Sequence, residues 1–150
     1  MDAVYRLSLA ITGNEADAHD VAQETFLTTW RSLPRLRDPV RFDAWLLRIA
    51  VNEARMALRA RRRRRVREIP EGAASPTPAE SAAPSDGDLL AAALDHLTSD
   101  QRAILALHHL EGYTVAEIAG VLAIPAGTVK SRLFTARRAL GAALDADADP

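Results

Sequence analysis

TVAEIAGVLAIPAGTVKSRLFTARRAL, residues 114–140, is the stretch that decides the fold of this chain. Its apolar residues recur every three or four positions on both sides of a break around Pro125, which indicates two amphipathic helices joined by a tight turn. They are Val115, Ile118, Ala119 and Leu122 before the break, and Val129, Leu133, Ala136 and Leu140 after it. This arrangement predicts a helix-turn-helix.

The second of these helices carries the side chains that a DNA-reading helix requires. Its apolar stripe leaves Lys130, Ser131, Phe134 and Arg138 facing outward. A basic donor, a small hydroxyl near the helix start and an aromatic ring can together contact base edges, phosphates and thymine methyl groups. A plain helical bundle with a solvated polar face is the alternative, but the turn spacing and the TVKSR segment favour DNA binding.

Charge and composition divide the chain into segments. Residues 1–67 contain 14 arginines against 8 acidic residues, whereas residues 68–88 contain five acidic residues, four prolines and no base or aromatic residue. Such a segment buries too little apolar surface to fold alone. We therefore expect a basic first domain at 1–67, a disordered acidic linker at 68–88, a helix-turn-helix domain at 89–144 and a frayed tail at 145–150. The fold class is all-α, with two small helical domains.

Several classes of protein are disfavoured by the same composition. The chain has no cysteine, and therefore no disulfide, thiolate zinc site or thiol nucleophile. No apolar run approaches the roughly 20 residues of a membrane span, and the start does not resemble a signal peptide, so we expect a cytoplasmic protein. We expect no metal, cofactor or catalytic residue, because the adjacent histidines His108 and His109 diverge around a helix and no phosphate-binding or nucleophile motif is present.

The first domain is predicted to contain three helices. Val4, Leu7 and Ile11 form the apolar stripe of the first, and Gly13-Asn14 suits a turn followed by an N-cap. The core face expected for the second is Ala18, Val21, Ala22, Thr25, Phe26, Thr29 and Leu33, which leaves Asp20, Gln23, Glu24, Leu27 and Arg31 outward. In the third, Phe42, Trp45, Leu46, Ile49 and Met56 share one face, while Leu47, Val51 and Leu58 lie nearly opposite. A helix that is apolar on two sides usually meets a second partner.

Taken together, these segments resemble the extracytoplasmic-function sigma factors of bacterial RNA polymerase. NEADAHDVAQETFLTTWRSL and FDAWLLRIAVNEARMALRARRRR are similar to the family's core-binding and minus-ten-reading domain, and residues 111–140 to its minus-thirty-five-reading domain. The resemblance implies a sigma factor with three kinds of partner: core RNA polymerase, promoter DNA as duplex and melted strand, and an anti-sigma factor. It implies no small-molecule substrate.

Carried over residue by residue, the resemblance implies three sites. The residues implied to bind core polymerase are Asp20, Gln23, Glu24 and Leu27. Those implied to recognise the minus-ten element are Arg37, Arg41, Asn52, Arg59 and Arg62. Those implied to recognise the minus-thirty-five element are Thr128, Lys130, Ser131, Arg132 and Phe134. The arginine run from Arg61 to Arg65 is expected to attract phosphates without reading sequence.

Two departures from the family pattern and two alternative functions accompany this interpretation. The family has a further helix's worth of residues before YRLSLAITGN, so we expect a first domain that is short at its N-terminus, with Leu47, Val51 and Leu58 left uncovered. Met56 stands where an aspartate is common. The alternatives are a helix-turn-helix regulator that acts without polymerase, and a degenerate sigma-like adaptor. Binding to core polymerase distinguishes the first, and a transcription assay the second.

Overall fold

The structure is a computed structural model that describes residues 2–68 and 85–148, and every regular element within these ranges is helical. The α-helices are α1 (Asp2–Thr12), α2 (Glu15–Ser32), α3 (Phe42–Arg67), α4 (Asp86–Asp95), α5 (Ser99–His109), α6 (Val115–Leu122) and α7 (Ala126–Ala148). Two 3₁₀ turns, Leu33–Arg35 and Pro39–Arg41, connect α2 to α3. The predicted all-α class with a helix-turn-helix in its second half is confirmed. No helix in these ranges has the length and apolar character that crossing a membrane requires.

Local sequence signals set the helix boundaries. Gly13 ends α1 with φ of 79°, a left-handed conformation that glycine adopts without steric cost. The Asn14 side chain then caps α2 by accepting the Asp17 backbone N–H at 2.8 Å. Helices α5 and α6 begin with capping boxes at Thr98 and Thr114, in which the side chain three residues later reaches back to the cap.

The predicted linker and tail differ from the structure at their edges. Helix α4 begins at Asp86 behind a capping box formed by Ser85 and Asp88, so residues 86–88 are helical and only 69–84 of the predicted linker lie outside the described residues. Helix α7 continues to Ala148, and the prediction of a frayed tail is therefore wrong for residues 145–148. Ala143, two residues before that stretch, is buried, and α7 packs on α4.

In α2 the predicted core face is only partly correct. Ala18, Val21, Thr25 and Thr29 are buried, but Phe26 and Leu33 are 37% and 43% exposed. The two buried threonines satisfy their hydroxyls locally, since each donates to the carbonyl four residues earlier at 2.7 Å. They therefore fill the core without leaving an unpaired polar group.

Of the two apolar faces predicted for α3, the face that carries Phe42 and Met56 is less buried than the opposite one. Leu47, Ala50, Val51 and Ala54 are buried, whereas Met56 is 49% exposed. Phe42, Trp45, Leu46 and Ile49, predicted to share the face of Met56, are only half-buried. The reason is that α3 packs against α1 and α2 and also against α6 of the second half. Leu47, Val51 and the half-buried Leu58 are thus covered, contrary to the expectation that they lie open.

One apolar cluster runs through both halves of the chain. It joins Val4, Leu7 and Ile11 of α1 to Ile104 and Leu107 of α5 and to the buried residues of α6 and α7. Helix α5 lies between α1 and α7. The first half of the chain, α1 to α3, and the second half, α4 to α7, are therefore packed together in this conformation.

Candidate nucleic-acid and protein interfaces

The outward face of α7 has the arrangement that the sequence predicts for a recognition helix. Lys130 and Ser131 are exposed, and the Phe134 ring is 62% exposed. The guanidinium carbon of Arg138 lies 5.8 Å from the centre of that ring, a cation–π contact that leaves the outer ring face and edge free. Val129, Leu133 and Ala136 are buried on the opposite side. The face of α7 that carries Lys130, Ser131 and Phe134 therefore takes no part in the packing of the core.

Arg132 and Thr128, which were predicted for the same site, have different surroundings. Arg132 lines a cleft of about 490 Å³ together with Arg55, Arg59 and Arg62 of α3. Thr128 is half-buried, and its carbonyl accepts the Ser131 hydroxyl at 3.0 Å. Arg132 is exposed, and it also lines a second cavity together with Ser131 and Thr135.

The loop between α2 and α3 forms a basic cavity of about 360 Å³. Its lining residues include Arg35, Leu36, Arg37, Asp38, Arg41, Trp45 and Arg48. Asp38 shapes the loop, because its carboxylate accepts the Val40 backbone N–H at 3.1 Å and lies 3.7 Å from the Arg41 guanidinium. An aromatic ring beside several guanidinium groups suits an unstacked base and its phosphates. Trp45, which the sequence places on an apolar face of the third helix, belongs to this cavity.

A basic stripe follows one face of α3. It consists of Arg48, Asn52, Arg55, Arg59 and Arg62, at spacings of four, three, four and three residues. Residues at this spacing share one side of a helix. Arg48 and Arg55 were not predicted as site residues, although their heptad spacing with Arg41 and Arg62 is visible in the sequence. The stripe can follow a nucleic-acid backbone over about 21 Å, at 1.5 Å per residue across its 14-residue span.

The structure does not bring all the predicted minus-ten residues together. Asn52 lines a small cavity of about 80 Å³ with Arg48, Arg55 and the α6 residues Val121 and Leu122. Arg37 and Arg41 line the loop cavity instead, and Arg48 is common to both. Arg59 and Arg62 line the larger cleft farther along α3.

The arginine run at the end of α3 does not act as one surface, because successive side chains turn by about 100° around a helix. Arg62 belongs to the basic stripe. Arg61 points the other way and pairs with Asp17 of α2, with 2.9 Å between its Nη1 and the carboxylate Oδ2. Part of the run therefore joins two helices of the first half.

The outward face of α2 is acidic at one edge and apolar at the other. Asp20, Gln23 and Glu24 are exposed, as predicted, and Leu27 is 41% exposed. Next to Leu27, one turn along, the Trp30 side chain is 78% exposed. Sequence reasoning missed Trp30, although its spacing of three from Leu27 places it on the same face. Exposed tryptophans are typical anchors of protein interfaces.

Contacts between the two halves are polar at their rim. Arg6 of α1 donates two hydrogen bonds to the Glu111 carboxylate, at 3.0 and 2.9 Å, and this bidentate pair raises the pKa of the Arg6 guanidinium. Arg55 of α3 donates to Asp100 of α5 at 2.8 Å.

Burial lowers the pKa of Arg102, whose Nε has no hydrogen-bond partner within the described ranges. Within those ranges, no cluster of three or more His, Asp or Glu residues is suited to hold a metal ion.

Two family models match the chain in the order that the sequence predicts. Sigma-70 region 2 matches residues 1–64, and Sigma-70 region 4 matches residues 87–140. The chain is 38% identical over 141 residues to the ECF RNA polymerase sigma factor SigL of Mycobacterium tuberculosis, a match that covers 91% of this chain and 80% of that protein. It is also 38% identical over 146 residues to SigE of Mycolicibacterium smegmatis. That match covers 93% of this chain, which spans 56% of the length of SigE.

Two solved structures resemble the chain over nearly its whole length. The sigma factor RpoE in complex with the anti-sigma factor NepR, from Bartonella quintana, has a TM-score of 0.75 at 25% identity, covering 99% of this chain and 92% of that one. CnrH in complex with the cytosolic domain of CnrY has a TM-score of 0.70 at 30% identity, covering 98% and 83%. Since each likeness extends over both halves, it includes the way in which they pack.

Proposed function

This chain belongs to the extracytoplasmic-function sigma factors of bacterial RNA polymerase, and we propose on that basis that it binds core polymerase and directs promoter-specific transcription initiation. The observation that carries the proposal is the presence, in one chain, of a basic stripe with an adjoining base-sized cavity and of a separate recognition helix. Two such surfaces suit two separated promoter elements. A stand-alone regulator needs only the second.

Each surface has a distinct part in this proposal. The outward face of α2 docks on core polymerase through Asp20, Gln23, Glu24 and Leu27, with Trp30 as an apolar anchor. The loop cavity and Asn52 take bases of the melted minus-ten strand, while Arg59 and Arg62 hold its phosphates. Lys130, Ser131 and Phe134 read the minus-thirty-five duplex.

The remaining parts of the proposal follow from these roles. Phosphodiester chemistry belongs to the polymerase, and the chain contributes recognition without catalysis. It works where the polymerase works, in the cytoplasm. The likeness to the sigma factor RpoE, solved in complex with the anti-sigma factor NepR, supports an anti-sigma factor as a further partner.

Transcription in vitro with core polymerase over a library of genomic fragments tests the function directly. We expect a defined set of fragments to give transcripts only when the chain is added. A regulator that acts without polymerase would bind DNA but would not co-purify with core, and a degenerate adaptor would bind core without initiating. Either result would overturn the proposal.

Reversing the charge of Asp20 and Glu24 to lysine should weaken binding to core polymerase by about tenfold or more, because both lie beside the Leu27–Trp30 anchor on an exposed face. Affinity is measured by titrating labelled core into the variant. Since neither residue is buried, circular dichroism should stay unchanged. The same double reversal at the exposed acids Glu15 and Asp145, which lie off this face, is the control. Equal affinity of the variant and the native chain would contradict the docking role.

Replacing Arg59 and Arg62 with glutamine should reduce the salt dependence of promoter binding by the holoenzyme. Each phosphate contact contributes about 0.9 to the log–log slope, so the slope should fall by about two units. The matched control replaces Arg61 and Arg65, which carry the same charge but lie off the basic stripe, and its slope should change by less than one unit. Equal changes in both variants would mean that the stripe has no special position on DNA.

A further inference from the structure

A cavity of about 400 Å³ lies where the end of α1 meets α4 and α5. Most of its wall is apolar, and the apolar side chains are Leu9 and Ala10 of α1, Ala91 and Leu94 of α4, and Leu110 just after α5. A volume of about 300–1,000 Å³ with a mainly apolar lining is typical of small-molecule sites. The residues that line this cavity are separate from the surfaces proposed for DNA and for core polymerase.

Arg102 of α5 brings a buried positive charge to this cavity. Only 12% of its side chain is exposed, and Asp95 lies 3.9 Å from its Nη1, beyond the reach of a hydrogen bond. Its Nε has no hydrogen-bond partner among the residues that the structure describes. Burial lowers the pKa of the guanidinium and the charge of Arg62 lowers it further, while Asp95 opposes both effects. A buried cation without a close counterion is unfavourable for folding, so its position suits a role in binding.

The wall of the cavity leaves the guanidinium of Arg102 available. Gly13 lines the cavity beside it, and because glycine has no Cβ the space next to Nη1 stays free. An added Cβ would lie 3.5 Å from that nitrogen. Arg6, the other arginine of the lining, already donates to both oxygens of Glu111. Of the two arginines that line the cavity, Arg102 is therefore the one that can pair with an incoming anion.

We propose that this cavity binds a small organic anion, a carboxylate on an apolar body, and that Arg102 pairs with the carboxylate. A guanidinium binds a carboxylate through two parallel hydrogen bonds, and the apolar wall covers the rest of the molecule. The size of the cavity limits the occupant, because a single turn of a peptide helix about 10 Å across already occupies roughly 420 Å³. A small molecule therefore fits where a helical segment of a partner protein does not.

Binding of octanoate to the full-length chain tests the proposal, with isothermal titration calorimetry as the measurement. The neutral probe of the same chain length is 1-octanol, and acetate carries the charge without the apolar body. Arg102→Met keeps most of the side-chain volume without the charge, and Ala91→Trp fills the cavity from an exposed position. The control is Arg63→Met, which removes an exposed arginine of α3 that does not line the cavity.

The native chain should bind octanoate about tenfold or more tightly than 1-octanol, since a hydrogen bond to a charged group contributes roughly that factor. Acetate should bind far more weakly than octanoate. Arg102→Met should remove the preference for the anion, Ala91→Trp should weaken binding of both eight-carbon probes, and Arg63→Met should change neither. Octanoate at about ten times its dissociation constant should also raise the Tm of the native chain by about 3–6 °C.

The acid beside the guanidinium provides a test of the sign of the ligand charge. The Asp95 side chain is 74% exposed, so Asp95→Asn should leave the packing of the cavity unchanged. It should tighten octanoate binding several-fold, because a carboxylate that repels the anion and attracts Arg102 is removed. Weaker octanoate binding in Asp95→Asn than in the native chain would contradict the proposed pairing.

The stability of the ligand-free protein separates a binding role of Arg102 from a structural one. Arg102→Met should leave the midpoint of urea unfolding unchanged or raise it, because a buried charge is replaced by an apolar side chain. A clear decrease would show that Arg102 stabilises the fold, and would overturn its proposed role. Octanoate that does not bind the native chain at millimolar concentrations, or that binds native chain, Arg102→Met and Ala91→Trp equally, would overturn the site itself. Initiation with core polymerase tests the proposed function separately from all of these results.

Discussion

Leu107→Ala is expected to lower the free energy of unfolding by about 2–5 kcal/mol, the largest effect on stability that we predict for a single substitution in this chain. Leu107 has no exposed surface and belongs to the helix that both halves enclose. Removing its side-chain branch leaves a cavity that the surrounding helices can close only in part. Urea denaturation followed by circular dichroism measures the change.

The position of the two tryptophans makes this experiment more informative. Trp30 and Trp45 are the only tryptophans of the chain, and both lie in the first half, whereas Leu107 lies in the second. If the halves share one core, the transition seen by tryptophan fluorescence should move together with the dichroism. A fluorescence midpoint that stays in place would mean that the halves unfold independently. The control is Leu110→Ala, just after α5, where the side chain is 56% exposed and a change within about 0.5 kcal/mol is expected.

Most of the local structure could be predicted because it depends on neighbouring residues. The turn at Gly13, the cap at Asn14 and the two helices around Pro125 follow from interactions within a few positions, and all are found. The start of α4 was missed by three residues, since the capping box of Ser85 and Asp88 was not recognised within an acidic, proline-rich segment.

The packing of α3 could be predicted only in part. Two apolar faces were visible in the sequence and required two partners, but periodicity does not identify a partner that lies far away in the chain. The second partner is α6, and Val51 and Leu122, about 70 residues apart in sequence, line the same small cavity. Because α6 covers this side of α3, Leu47 and Val51 are buried, while Met56 on the other side stays exposed.

The candidate nucleic-acid site was identified by composition more than by geometry. The run Arg61–Arg65 was predicted to attract phosphates as one surface. Adjacent residues diverge around a helix, however, and Arg61 pairs with Asp17. Arg48 and Arg55, isolated in the sequence, are the residues that continue the stripe. Trp45 was placed only on an apolar face of the third helix, and the fold of the preceding loop shows that it lines a cavity.

Phe134→Ala is expected to weaken binding to the best minus-thirty-five element by about 1–3 kcal/mol while leaving binding to unrelated duplex unchanged. The ring projects from the same face as Lys130 and Ser131 and is 62% exposed, so it is accessible to DNA. On DNA it can pack against a thymine methyl group or a sugar, and the loss of that contact carries sequence preference. Competition binding by the holoenzyme, with matched and scrambled elements, measures the difference.

Two comparisons decide what a loss of binding by Phe134→Ala means. Stability should remain within about 0.5 kcal/mol of the native chain, because Val129, Leu133 and Ala136 form the buried side of α7 independently of the ring. Lys130→Ala should weaken matched and scrambled duplexes more evenly if its ammonium group contacts phosphate, and the matched duplex selectively if it contacts guanine. A Phe134→Ala protein that binds both duplexes as the native chain does would show that the ring does not read DNA.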